Sequence, residues 1–128
     1  MDRVLLDTQI VYLAYRGELQ GFSTAARELI SDPDTVRLIS SISIIEIAVK
    51  HTIGKLDMDH EALQAAIRDL RLTELSFEPQ HAFAVFSLPL HHRDPFDRMI
   101  LATAIVEKLP VVTGDRVFRR YPQVQVIW

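Results

Sequence analysis

Cysteine is absent from this 128-residue chain, which removes both the disulfide staple and every thiolate metal site from consideration. Glycine and proline are sparse, at four and six residues, too few and too scattered for linkers or low-complexity tails, and no internal repeat is found at any period. No apolar run approaches the roughly 20 residues needed to span a bilayer. The opening Met1-Asp2-Arg3-Val4-Leu5-Leu6-Asp7 meets an acid before any long apolar stretch develops, which does not fit a secretory signal, so a cytoplasmic location is expected. An excess of positive charge is missing too: 14 Lys+Arg stand against 17 Asp+Glu, a net charge of -3. That balance ordinarily argues against a nucleic-acid partner, because phosphate binding rests on neutralisation by basic side chains. What is present is 48% hydrophobic and 24% charged residues, the balance of one soluble domain over residues 1–128 that buries roughly two-thirds of its unfolded surface.

The charge is unevenly spread. From His91 onward there are six basic residues (Arg93, Arg98, Lys108, Arg116, Arg119, Arg120) and four acids (Asp94, Asp97, Glu107, Asp115), a local +2, which leaves residues 1–90 at -5. A solvated charged face explains that bias as readily as a binding surface does.

Apolar spacing alternates between two periods along the chain. Val4-Leu5-Leu6 reads as a buried strand, and Ile10, Val11, Leu13 and Ala14 as a helix. Ser23-Thr24 starts a second helix that Asp32-Pro33-Asp34 stops, and Val36 to Ile39 is a second strand. Ser43 followed three residues later by Glu46 matches a capping box, with Gly54 as the C-terminal stop. Asp59 caps a helix over His60–Leu70, Thr73-Glu74-Leu75 is a short strand, and Pro79 opens a helix through Val85. Asp94-Pro95 opens another that runs to about Lys108. Val111-Val112-Thr113 and Val124–Trp128 complete the strands, with a helical turn near Arg116–Tyr121 between them. Strands separated by helices imply crossovers, hence a three-layer α/β/α fold with a mostly parallel central sheet.

Open parallel sheets bind ligands beyond the carboxyl ends of their strands. Asp7 and Asp115 follow two such ends, and Glu46 and Asp97 are placed in first helical turns at the same edge. Each has a plain structural alternative. Glu46 completes the capping box, Asp97 complements a helix dipole behind the Asp94 cap, and Asp115 sits in a Thr-Gly-Asp-Arg turn. Asp7 is harder to dismiss, because its apolar neighbours expect burial and a buried carboxylate needs a partner. Carboxylates gathered with no matching Arg or Lys persist if a divalent cation neutralises them. With no Cys and no HxxxH or HExxH pair, zinc is disfavoured and Mg²⁺ or Mn²⁺ is expected. Such ions activate water against phosphodiesters and stabilise the leaving oxygen, which is nuclease chemistry. His91 and His92, at the end of a Leu-Pro-Leu loop, read as solvated residues rather than general bases.

Four segments together resemble a known family: Leu6-Asp7-Thr8; Ser43-Ile44-Ile45-Glu46-Ile47-Ala48-Val49-Lys50 with Gly54-Lys55-Leu56; His91-His92-Arg93-Asp94-Pro95-Phe96-Asp97-Arg98; and Thr113-Gly114-Asp115. They look like PIN-domain ribonucleases, specifically the VapC toxin branch of toxin–antitoxin pairs, and the resemblance runs to the Tyr121…Val126-Ile127-Trp128 ending. Gln9 and Ile45 depart from it, standing where that branch often has His and an aromatic residue. The resemblance implies a metal-dependent endoribonuclease in which Asp7, Glu46, Asp97 and Asp115 bind metal, Thr113 supplies a supporting hydroxyl, and Asp94 is an accessory acid or cap. It further implies an RNA substrate, a homodimer or higher oligomer, and inhibition by a small antitoxin protein. Lys50, Arg93, Arg98, Arg116, Arg119 and Arg120 are the candidates for the RNA backbone, with pairing to a carboxylate as the alternative for Arg98. The rival from another class is a non-catalytic acid-pocket module, metal-sensing or receiver-like. A receiver expects paired acids after its first strand and a Lys after its last motif, and neither stands here.

Overall fold

Side-chain alternation along the strands decides the layering. The structure, a computed structural model, describes residues 2–128. In β1, Arg3–Leu6, Val4 and Leu6 enter one apolar cluster and Leu5 the other, because successive side chains of a strand point to opposite faces. β1 therefore has to be covered on both sides, and it is. It lies in the middle of a sheet whose other members are β2 (Val36–Ser40), β3 (Leu72–Leu75), β4 (Val111–Val112) and β5 (Val126–Ile127), in the order β3-β2-β1-β4-β5. Every pairing is parallel, so the sheet goes beyond the mostly parallel expectation. β5 is shorter than Val124–Trp128; Val124 instead closes a turn on Tyr121.

Among the described residues six α-helices carry the first three crossovers, α1 (Thr8–Tyr15), α2 (Thr24–Ser31), α3 (Ser41–Thr52), α4 (His60–Asp69), α5 (Pro79–Ala84) and α6 (Pro95–Glu107), and a 3₁₀ turn over Arg116–Arg120 carries the last. Ile10 and Val11 of α1, Ala26 of α2, and Leu63 and Ala66 of α4 pack with Val4, Leu6 and Ile39 on one face of the sheet. Ile100, Leu101 and Ala104 of α6 pack with Leu5, Leu38 and Val111 on the other. α3 bridges the two faces, with Ile47 in the first cluster and Ile42 in the second.

The caps follow short-range chemistry. Ser23, Asp59 and Asp94 each accept a backbone N–H through the side chain, as their residue types predict. α3 departs from expectation. Its cap is Ser40, whose hydroxyl accepts from the N–H of Ile42 at 3.0 Å, so the Ser43–Glu46 capping box does not form. Ser40 still pairs in register with Leu75 of β3, and the chain passes from strand to helix with no intervening loop. Glu46 consequently stands in the second turn of α3, not the first. Among the described residues no helix is long and apolar enough to cross a membrane.

Candidate active site

The chain leaves β1 toward β2 and later returns to β1's other side as β4, so the direction of travel across the sheet reverses between these two strands. Ligand crevices open at the carboxyl ends of such a pair. The register Leu6↔Val112 sets the next residues, Asp7 and Thr113, side by side. The Thr113 hydroxyl donates to Oδ2 of Asp7, while Oδ1 accepts from the N–H of Ile10 at 2.8 Å and caps α1. Burial outweighs both donors and pushes the Asp7 carboxyl up to about 6, with the charges on Asp115 and Glu46 adding to the rise.

Glu46 faces this crevice because α3 starts early. Its Oε1 accepts from the Thr8 hydroxyl at 2.6 Å. That commits the only hydroxyl proton of Thr8, so the Ser43 hydroxyl, 2.8 Å away, must be the donor to Thr8. Lys50, one turn further along α3, stands 2.5 Å from Oε2 of Glu46, and this hydrogen bond holds its ammonium above the usual lysine range. The acids are therefore not without a basic partner, contrary to the sequence reading.

Asp94 is the N-cap of α6, its Oδ1 accepting from the N–H groups of Phe96 at 2.8 Å and Asp97 at 3.2 Å. Asp97 is pushed up to about 7, first by burial and then by the charge of Asp94, against the opposing influence of His92. Asp115 uses Oδ1 to accept from Val117 N–H at 3.0 Å, capping the 3₁₀ turn Arg116–Arg120.

His92 corrects a second expectation. Only 12% of its side chain is accessible, and its Nδ1 accepts from the N–H of Asp94 at 3.2 Å. The ring proton must then sit on Nε2, which donates to Oδ2 of Asp115 at 2.8 Å and lies 3.3 Å from Oδ2 of Asp97. Ligand atoms of His92, Asp97 and Asp115 fall within 4.8 Å of one another. In this tautomer His92 braces the two carboxylates as a donor, and Oδ1 of Asp97 stays open to a cation. The loop bearing it is held from below: Tyr121 accepts from His92 N–H at 2.8 Å and donates to the Pro89 carbonyl at 2.6 Å.

Arg98 belongs to that scaffold. Its guanidinium donates to the carbonyls of Pro89, His92, Val85 and Leu88 at 3.0 to 3.5 Å, so it is neither an RNA-facing cation nor a carboxylate partner. Arg93, Arg116, Arg119 and Arg120 are exposed. Of the six basic candidates only Lys50 lines the crevice, a pocket of about 500 Å³ that Asp7, Glu46, Asp94, Asp97 and Asp115 also line.

Thr8, Ser43 and His92 were not picked out by sequence reasoning. Thr8 could have been found as the first helical residue after a strand-end acid, a position that shares Asp7's edge of the sheet; the local signal at Ser43 points to a helix cap instead. The donor set fits an oxygen-preferring divalent cation. Six carboxylates, counting Glu18, line the pocket against one ammonium, two carboxyls are driven toward neutrality, and hydroxyl and imidazole donors already orient four of the acids.

The PIN domain family model matches residues 4–124. The chain is similar to Ribonuclease VapC22 of Mycobacterium tuberculosis (strain ATCC 25618 / H37Rv), with 32% identity over 139 aligned positions that cover 100% of each protein. Among solved structures it is similar to DNA-bound VapBC from Salmonella typhimurium, at a TM-score of 0.72 and 23% identity over 99% of this chain and 98% of that one. It is also similar to VapBC2 from Rickettsia felis bound to a DNA fragment from their promoter, at a TM-score of 0.71 and 21% identity over 98% and 97% of the two chains.

Proposed function

The chain belongs to the PIN domain family, and we propose that this VapC-type ribonuclease toxin, a single nuclease domain over residues 1–128, cuts RNA phosphodiesters endonucleolytically at the pocket between β1 and β4. Asp7, Glu46, Asp97 and Asp115 hold Mg²⁺ or Mn²⁺ there. The observation that carries the assignment is that all four carboxylates line one pocket at the reversal point of the sheet. An ion in that pocket supplies activation of water and neutralisation of charge on the phosphodiester.

The chain's own groups do the rest. Thr113 and the Ile10 N–H hold Asp7, Thr8 holds Glu46, and His92 stands between Asp97 at 3.3 Å and Asp115 at 2.8 Å. Lys50 is placed to take a phosphate oxygen of the substrate, and Arg93, Arg116, Arg119 and Arg120 to meet the RNA backbone further out. A small antitoxin is the partner; it inhibits by setting a basic side chain among the acids and displacing the ion. Self-association belongs to the same reading, supported by the exposed side chains of Phe83, Phe86 and Leu90. Its location is the cytoplasm.

Purified wild-type protein with Mg²⁺ or Mn²⁺ should cleave RNA, and EDTA should stop it. Asp7→Asn, Glu46→Gln, Asp97→Asn and Asp115→Asn should each abolish cleavage while remaining folded by circular dichroism. A folded Asp7→Asn protein that cuts at the wild-type rate would mean the site is misassigned. Expression of the chain alone should arrest growth, and co-expression of the neighbouring antitoxin should relieve the arrest; unhindered growth with soluble protein present counts against the toxin reading.

A further inference from the structure

The pocket has a second end that the acids do not explain. Besides them it is lined by Ile10, Leu13, Phe22 and Trp128, and by Gln9 and Gln20. Trp128 is half-buried, with its ring centroid 5.3 Å from that of Phe22 at a tilt of 56°. The indole is seated against the backbone of Gly114: a Cβ at that position would lie 2.9 to 3.3 Å from three of its ring atoms. Any side chain there would push the indole away, so glycine is required for the close approach. Gly114 stands between Thr113, which donates to Asp7, and Asp115. Neighbouring Cα atoms are about 3.8 Å apart, so the aromatic shelf starts within one nucleotide of the acids. Neither the Gln9 nor the Gln20 side-chain amide has a hydrogen-bond partner among the described residues.

We propose that Trp128 is the stacking platform for an unpaired nucleobase next to the phosphodiester that is cut, a specificity-determining contact of the nuclease site, with Gln9 and Gln20 facing the base's polar edge. The inference rests on the nuclease reading and adds the substrate's form, single-stranded with a splayed base. An occupant that leaves the cation in place has to bring an anionic group to the acids and a flat π-surface to the aromatic wall. A nucleotide carries both, whereas an aromatic residue of a protein partner carries only the second. Base-on-aromatic stacking is the usual way that proteins hold single-stranded RNA.

Trp128 is the chain's one tryptophan, so intrinsic fluorescence reports on this residue alone. A short single-stranded RNA oligonucleotide, added to Asp97→Asn protein with Mg²⁺ so that it binds without being cut, should quench that fluorescence saturably. The same sugar–phosphate strand without bases should not. With a dye-labelled oligonucleotide followed by anisotropy, Trp128→Leu should bind roughly tenfold more weakly, and Trp128→Phe, which keeps an aromatic ring, should lose less; thermal melts of both variants establish that they fold. Binding with silent tryptophan fluorescence and unchanged affinity in Trp128→Leu overturns the inference and leaves the nuclease reading standing. Unchanged RNA affinity together with lost antitoxin binding also overturns it, assigning the shelf to the protein partner. Wild-type protein that neither binds nor cuts RNA defeats both.

Discussion

The hydroxyl of Thr113 is one of two donors that reach Asp7, and what it contributes depends on that carboxyl's proton. Thr113→Val keeps the shape and removes the donor, leaving Oδ2 of a buried carboxylate unsatisfied at a cost of about 1.5–3 kcal/mol. Urea unfolding in EDTA at about pH 8 should show that loss, and it should shrink below pH 6, where the neutral carboxyl no longer needs the charge-assisted bond. The same carboxyls set the pH dependence of the metal-free protein. Asp7 and Asp97 are raised from 3.8 to about 6 and about 7, so both hold their protons more tightly folded than unfolded. The stability they contribute is complete below about pH 4 and is lost as the pH rises through about 6 and 7. Melting temperature in EDTA should therefore fall between about pH 5 and pH 8, and Asp97→Asn should fall less and melt above wild type at the upper end. Relief of the buried charge, and then of its repulsion by Asp94, has to exceed the roughly 0.3–1 kcal/mol that an acid contributes near a helix N-terminus. A variant that melts lower at pH 8 would make Asp97 a helix-dipole residue and nothing more.

α6 shows how an element can be built for itself and for the site at once. Asp94 accepts two backbone N–H groups, so Asp94→Ala should cost about 0.5–2 kcal/mol of stability and Asp94→Asn much less, with cleavage retained in the Asn variant. Loss of cleavage in a fully stable Asp94→Asn protein would promote Asp94 from cap to ligand. This helix was readable in advance because Asp94-Pro95 is unambiguous local chemistry. α3 was misplaced for an equally local reason. Ser40, Ser41 and Ser43 are all competent caps, and the choice among them is made by where β2 stops pairing with β3, a distant contact. The resulting shift of three residues moved Glu46 from a capping role to the pocket. The four acids were legible because strand ends mark the sheet edge, and Thr113 through its place in that motif. His92 was not, because its burial depends on Tyr121 and Arg98 gripping the loop beneath it, and nothing in the run His91-His92-Arg93 announces that.

For the molecule as a whole, an ion bound at 100 times its dissociation constant adds about 2.7 kcal/mol, a rise of several degrees in Tm for a domain of this length. Wild type should show that rise with Mn²⁺ over EDTA, and Asp7→Asn should lose most of it. The middle position of β1 has a temporal consequence. Its residues are synthesised well before those of β4, the neighbour that completes the crevice, and the Thr113 hydroxyl bonded to Asp7 lies 106 positions further along. A domain generally folds as a unit, and here the part made before β4 cannot finish the site alone. A ribosome making this nuclease thus carries a harmless nascent chain until residues 111–115 have left its exit tunnel. Chains stalled before that point should show no cleavage of RNA in a translation extract, and release of full-length product should start it. The order of the strands delays completion of the pocket to the last stretch of the chain.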